Sequence, residues 1–290
     1  MPVLVLYTIV VLIWGSTWVA IPYQLGVVAE EVSVAYRFAI GALALYVFAI
    51  VTGKKLRLPL RYYPMVIVQG IFLFSINYFF VYYGTAYITS GLVAVVFSSI
   101  AVCNALFERM FFRTPLEGRL INASFLGILG IALIFWPEVS MLKLQDRTIF
   151  GVLMVVIGVL TASLGNMAAV VNTRRQLPVV AVNAHGMAWG TLLSVVVAIF
   201  LGREFKFSYE PGYVLSLLFL AVFGSAIAFG CYLALIRKIG SARAAYTSVL
   251  FPLVALAIST VVEDYRWSGL AVTGVLLTLG GNWLALRRTR

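Results

Sequence analysis

Long stretches without a charged side chain constrain this sequence more than any motif in it. No Asp, Glu, Lys or Arg occurs between Arg61 and Glu108, Arg119 and Glu138, Arg147 and Arg174, Arg175 and Arg203, Glu210 and Arg237, Arg243 and Glu263, or Arg266 and Arg287. Each gap holds one or two helices of roughly 20 residues, the length that crosses the hydrocarbon of a bilayer. Only 11% of the 290 residues are charged, about half of what covers a soluble domain. A membrane β-barrel needs short segments of alternating polarity, and the sequence has no such pattern. The spacing therefore predicts an all-α polytopic membrane protein.

Ten transmembrane spans fit the pattern, near 4–24, 33–53, 62–83, 89–107, 119–137, 149–171, 179–201, 212–235, 242–260 and 267–286. The third and fourth are divided only by the stretch around Gly84, Thr85 and Ser90. Charge supports the division. Ten spans place fifteen Lys and Arg on one side and five on the other, with Arg37 left inside the second span. Positive charge marks the cytoplasmic side, so both termini are expected there. Merging the two spans inverts everything downstream and spoils the bias.

The net charge of +11 sits in short groups between apolar runs, which sets orientation and does not make a basic face for nucleic acid. Cys103 and Cys231 lie inside apolar runs and are expected to pack as small hydrophobes. The start of the chain lacks the basic and small-residue marks of a cleaved signal, so a retained first helix is expected.

Self-similarity comes next. Tyr87-Ile88-Thr89-Ser90-Gly91-Leu92-Val93-Ala94 matches Lys238-Ile239-Gly240-Ser241-Ala242-Arg243-Ala244-Ala245 at an offset of 151, through an isoleucine, a serine and small residues. Two halves of five spans each, 1–138 and 139–290, must be inverted relative to one another because five is odd. Such inverted repeats are a transporter architecture, in which two bundles rock about a midplane site. Preservation of a duplication for packing alone is the alternative.

Trp14-Gly15-Ser16, Arg37-Phe38, the Ala86-to-Ala94 stretch, Ala234-to-Ala245 and Pro252 resemble the drug/metabolite transporter superfamily, EamA type. The pattern departs from the family's at Val262-Glu263, where Gly-Glu is usual, and at Ala101, which stands opposite Pro252. The resemblance covers nearly the whole chain. It implies a bacterial inner-membrane, multi-pass exporter of amino acids and related metabolites, with the aromatic amino-acid exporters as the branch it points to.

Polar and aromatic groups inside spans are the candidate substrate-binding residues, because lipid does not tolerate them unpaired. These are Trp14, Ser16 and Trp18 (with Thr17 between), Asn77, Tyr78 and Tyr82, Ser99 beside Ser98, Asn166 near Ser163, His185 with Trp189 one turn on, Tyr232 and Tyr246. Trp14 and Trp18 share a helical face, as do Tyr78 and Tyr82. Each has a packing alternative. Ser, Thr and Asn hydrogen-bond neighbouring helices, and aromatic belts account for Tyr62, Tyr63, Tyr87, Tyr213, Trp267 and Trp283. His185 is the sole histidine and is either a proton site or a partner across a helix interface, beside the close-packing pair Gly186 and Gly190. Arg37 is expected to snorkel to the headgroups or pack, with binding of an anionic group as its alternative.

No Asp or Glu lies in mid-span, and ion-driven carriers usually bury one. The expectation is alternating access by facilitated diffusion, with a proton-coupled antiporter using His185 as the alternative. A membrane-embedded enzyme lacks its parts here: one histidine and two scattered cysteines make no usual metal site, and no phosphate loop or nucleophile elbow appears. The chain is thus expected to be no enzyme and to need no cofactor or metal. Its expected partners are a small-molecule substrate and membrane lipids, with no nucleic acid and no obligate protein. Pro22, Gly158, Gly165 and Pro252 are candidate flex points or simple kinks.

Overall fold

A computed structural model describes residues 1–88, 93, 96–115, 118–134, 136, 146–262 and 267–286. Every regular element among them is helical. The rods are α1 (Val3–Ala20), α2 (Glu30–Val51), α3 (Leu60–Thr85), α4 (Ile100–Phe112), α5 (Gly118–Ile134), α6 (Asp146–Arg174), α7 (Val179–Phe200), α8 (Pro211–Ile239), α9 (Thr247–Val262) and α10 (Gly269–Leu286). Of these, α2, α3, α6, α7 and α8 are long and apolar enough to cross a bilayer, and α1, α5 and α10 are shorter apolar helices. Large apolar side chains such as Leu43, Phe48, Phe125, Leu192, Phe200 and Leu215 point away from the bundle. A surface so greasy suits lipid, because a soluble monomer rarely exposes a continuous apolar face.

The boundaries follow local chemistry. α1 stops at Ala20, four residues short of the expected end, and passes into a 3₁₀ turn over Ile21–Gln24. Pro22 lies in that turn, where its missing N–H costs nothing. α3 ends at Thr85, in the stretch expected to divide the third and fourth spans. Thr89 to Leu92, Ala94, Lys143, Glu263, Asp264, Arg266 and the last arginines lie outside the described residues. Most of the first copy of the repeated motif and the end of Val262-Glu263 therefore do too.

Helix pairing places the interior. α2 lies along α7 and α5 along α10; α1 packs on α8 and α9, and α6 packs on α3 and α4. Glycine permits the closest approaches. A methyl group on Gly190 would stand 2.7 Å from the Phe74 carbonyl on α3, and one on Gly41 would stand 3.3 Å from the Ala221 carbonyl on α8. Between α5 and α10, a methyl on Gly130 would fall 2.5 Å from the Gly274 carbonyl, and one on Gly281 would fall 2.7 Å from that of Ala123.

α3 and α8 each widen into a π segment, Phe72–Ile76 and Val222–Ile227. A π segment releases carbonyls from the usual ladder and is often found at functional sites. In α8 the released groups are taken up by side chains: Ser225 Oγ donates to the Leu220 carbonyl, and Trp14 Nε1 donates to the Gly224 carbonyl at 2.8 Å.

Two aromatic expectations divide here. Tyr87, Trp267 and Trp283 are exposed on the bundle surface, as a belt requires. Tyr213 is instead buried, with its hydroxyl 3.1 Å from Ser33 Oγ. It joins α8 to α2 and does not face headgroups. Cys103 and Cys231 are half-buried and unbridged.

Candidate functional site

Where α1, α2, α3, α4, α6, α8 and the start of α9 converge they leave a cavity of about 80 Å3. Most of its wall is apolar, and its largest side chains are aromatic. Trp14 of α1 stands at its centre, with ring centroids 4.8 Å from Phe229, 5.0 Å from Tyr232 and 5.7 Å from Phe251. Edge and tilted packing of this kind holds the rings rigid. The indole donor of Trp14 is already fixed by the π segment of α8, so its ring faces the cavity in one orientation.

Six of the eleven expected binding residues line this cavity: Trp14, Trp18, Asn77, Tyr78, Asn166 and Tyr232. The other five are placed elsewhere. Ser16 donates back to the Leu12 and Ile13 carbonyls of its own helix, and Ser99 does the same to Val96, the usual satisfaction of a mid-helix serine. Tyr82 lies one turn beyond Tyr78, fully buried outside the wall, and its hydroxyl has no hydrogen-bond partner among the described residues. Tyr246 is also fully buried, its hydroxyl bonded to Ser124 and to the Leu120 carbonyl. It ties α9 to α5, while its neighbours Thr247 and Ser248 face the cavity.

His185 sits away from the cavity. Its Nε2 is 2.9 Å from the Leu56 carbonyl, and its Nδ1 is 2.9 Å from the Tyr46 hydroxyl. A carbonyl only accepts, so Nε2 carries a hydrogen. Both ring nitrogens are thus hydrogen-bonded, with Tyr46 and Tyr63 packed around the ring. These contacts join α7 to α2 and to the segment after it.

Of the readings open to Arg37, the structure removes snorkelling and keeps packing. The side chain is 1% exposed and reaches the cavity wall, not the headgroups. Nε donates to Ser225 Oγ at 3.0 Å, Nη2 makes a long 3.5 Å contact to the Tyr78 hydroxyl, and the guanidinium lies 4.5 Å from the centre of the Tyr78 ring. Nη1 has no hydrogen-bond partner among the described residues, and no carboxylate is among the residues lining the cavity. The sequence signal was a lone arginine between two charge-poor stretches; its distance from the span's end suggested snorkelling, and only the tertiary packing shows the side chain turned inward.

Polar links mark the two ends of the cavity. At one end, Glu31 at the start of α2 is fully buried, accepts the Tyr83 hydroxyl of α3, and pairs with Arg203 beyond α7 at 3.3 Å. At the other, Asn166 donates to Asn104 Oδ1, Asn104 donates to the Ser241 carbonyl, and Glu108 accepts from Ser241 N. Gly240 makes that last contact possible: it turns the chain at φ +82° between α8 and the short Ser241–Ala245 helix, a conformation natural only to glycine. Glu108 also lines a second pocket with Arg174, Arg237 and Arg243.

Comparison with known sequences settles the kinship of this architecture. The sequence model of the EamA-like transporter family matches residues 1–136 and 149–287. The chain belongs to the EamA-like transporter family. It is similar to the protein PagO of Salmonella typhimurium, 24% identical over 95% of this chain and 92% of that one. It is also similar to transporter YoaV of Bacillus subtilis, 21% identical over 85% and 84%. Inner membrane transporter YedA of Escherichia coli is 25% identical over 93% and 88%. A solved crystal structure superposes with a TM-score of 0.80 over 97% of this chain and 95% of its own, at 19% identity, which shows a shared fold. This EamA-like chain is therefore a membrane transporter, and its cavity is the candidate cargo site.

Proposed function

We propose that this EamA-like protein exports amino acids, aromatic and other neutral ones, from the bacterial cytoplasm by alternating access, as facilitated diffusion. The observation that carries the reading is the cavity around Trp14, lined by aromatic side chains and polar at Arg37, Asn77 and Asn166. Apolar side chains dominate its wall, and a few fixed polar groups give orientation, as in small-molecule sites generally.

Support for two inverted halves, 1–138 and 139–290, comes from helix pairing. Exchanging α1–α5 with α6–α10 leaves the pairing pattern unchanged: α2 with α7, α5 with α10, and each first helix on the third and fourth helices of the other half. The two π segments and the two matches of the family model obey the same exchange. Both termini are placed in the cytoplasm by the distribution of Lys and Arg. With that orientation the Glu31–Tyr83–Arg203 link lies toward the outer side, and the pocket lined by Arg174, Arg237 and Arg243 lies toward the cytoplasm.

Facilitated diffusion is supported by the absence of a carboxylate among the cavity's lining residues and by the position of His185 outside the cavity, bonded to Tyr46 and the Leu56 carbonyl. Purified protein in liposomes tests the whole reading. Saturable uptake of tryptophan, phenylalanine or threonine without an imposed ion gradient is expected. Uptake that appears only with a proton gradient contradicts facilitation, and an absence of flux under both conditions contradicts the amino-acid assignment.

A further inference from the structure

Burying a guanidinium without an anion is costly, because desolvation is repaid only by good geometry and full hydrogen bonding. Arg37 has neither a carboxylate nor a full set of acceptors. Its Nε is pinned by Ser225, and its face is covered by Tyr78. Those contacts fix the plane of the group, on a residue of the cavity wall, and leave Nη1 unpaired among the described residues and Nη2 only weakly held. A planar fork presented edge-on matches the two oxygens of a carboxylate.

The remaining unpaired groups of the same wall complete a pattern. Trp18 Nε1 is a second buried donor without a partner, while Asn77 Oδ1 and Asn166 Oδ1 are buried acceptors without one, among the described residues. Buried polar atoms are nearly always bonded, so four in one cavity describe the ligand they await. Two donors suit a carboxylate and two acceptors suit an ammonium. The acceptors are neutral amides, so they discriminate less strongly than the cation does.

We infer that Arg37 is the carboxylate anchor of the cavity, and that cargo enters as an α-amino acid zwitterion held chiefly by its carboxylate, its apolar side chain lying against the Trp14–Phe229–Phe251 rings. This rests on the carrier reading above and narrows it: amines lacking the carboxylate are rejected, whereas acids lacking the amine still bind.

The test compares L-tryptophan, indole-3-propionate and tryptamine as competitors of labelled tryptophan uptake in proteoliposomes of the wild-type protein, Arg37→Gln and Arg37→Lys. Wild type is expected to prefer tryptophan, then indole-3-propionate, with tryptamine weaker than tryptophan by about 10- to 100-fold, the loss typical of a missing charged hydrogen-bond partner. Arg37→Gln brings tryptophan down to the tryptamine level, and Arg37→Lys restores only part, since it keeps the charge and loses the fork. If Arg37→Gln does not yield folded protein, Ser225→Ala substitutes, freeing Nε and weakening tryptophan but not tryptamine. Equal competition by tryptamine in wild type, or an unchanged preference in the folded variant, overturns the inference while leaving amino-acid transport intact. If wild type carries no amino acid, the amino-acid assignment fails separately. Thermal stabilisation of the purified protein by indole-3-propionate but not tryptamine then still supports Arg37 as the anchor, and no stabilisation by either overturns it.

Discussion

Tyr78 and Tyr82 lie one helical turn apart and have the same chemistry, yet the fold gives them different roles. Tyr78 packs beneath the Arg37 guanidinium on the cavity wall; Tyr82 is sealed in the core with an unpaired hydroxyl. Removing a buried hydroxyl that bonds nothing is close to neutral, or stabilising by up to about 1 kcal/mol. Tyr82→Phe is therefore expected to keep tryptophan uptake and to hold or raise the melting temperature in detergent. Tyr78→Ala is expected to raise the half-saturating tryptophan concentration in folded protein, and unchanged uptake would remove Tyr78 from the site. The sequence shows which side chains are polar inside a span, but not which way they point. Ser16 and Ser99 satisfy themselves on their own helix, a local event that leaves no mark in composition. Arg37 was undervalued for the converse reason: its stem is long enough to reach either the surface or the interior.

Among elements, pairing is set by glycine and by the π segments. Glycines on α5 and α10 let backbones touch, so the small residues in those spans are structural in a way hydropathy does not reveal. A methyl on Gly274 would stand 2.4 Å from the Gly130 carbonyl, whereas one on Gly280 meets nothing within 4 Å. Gly274→Ala is expected to destabilise the protein by about 1–3 kcal/mol, the usual cost of overpacking, and Gly280→Ala to leave it unchanged. Melting of the two purified variants checks this; equal melting points would mean that α5 and α10 are not held at this spacing. Helical class and most helix positions were legible because charge-free runs and bilayer thickness leave few solutions. The π segments were not, since one extra residue in a turn has no compositional signature. In α8 that extra residue decides which carbonyl meets Trp14 and where Ser225 meets Arg37.

At the scale of the whole molecule, a polar tie joins α2, α3 and the segment after α7. Glu31, Tyr83 and Arg203 come from three different helical hairpins and meet only after folding; in the sequence Glu31 and Arg203 read as two ordinary loop charges. If the tie holds the outer end shut, Glu31→Gln shifts the population toward outward opening. A single cysteine at Thr17, with Cys103 and Cys231 changed to Ala, reports this through its labelling rate by an impermeant maleimide added outside. The Glu31→Gln background is expected to label several-fold faster, and equal rates would assign the tie to stability alone. Half of the site was readable in advance because Trp, Tyr and Asn in mid-span are few. The rest, the inward Arg37 and the Glu31 tie, depends on contacts between residues 41 to 188 positions apart.

The packing of α1 on α8 and α9 also has a history in time. Trp14 donates its indole hydrogen to a carbonyl 210 residues further along the chain. During synthesis α1 enters the membrane long before that acceptor exists, and its neighbours in the finished bundle are among the last to arrive. The helix that forms the centre of the cargo site must therefore wait in lipid as a loose rod, and the cavity comes into being as one of the final acts of assembly.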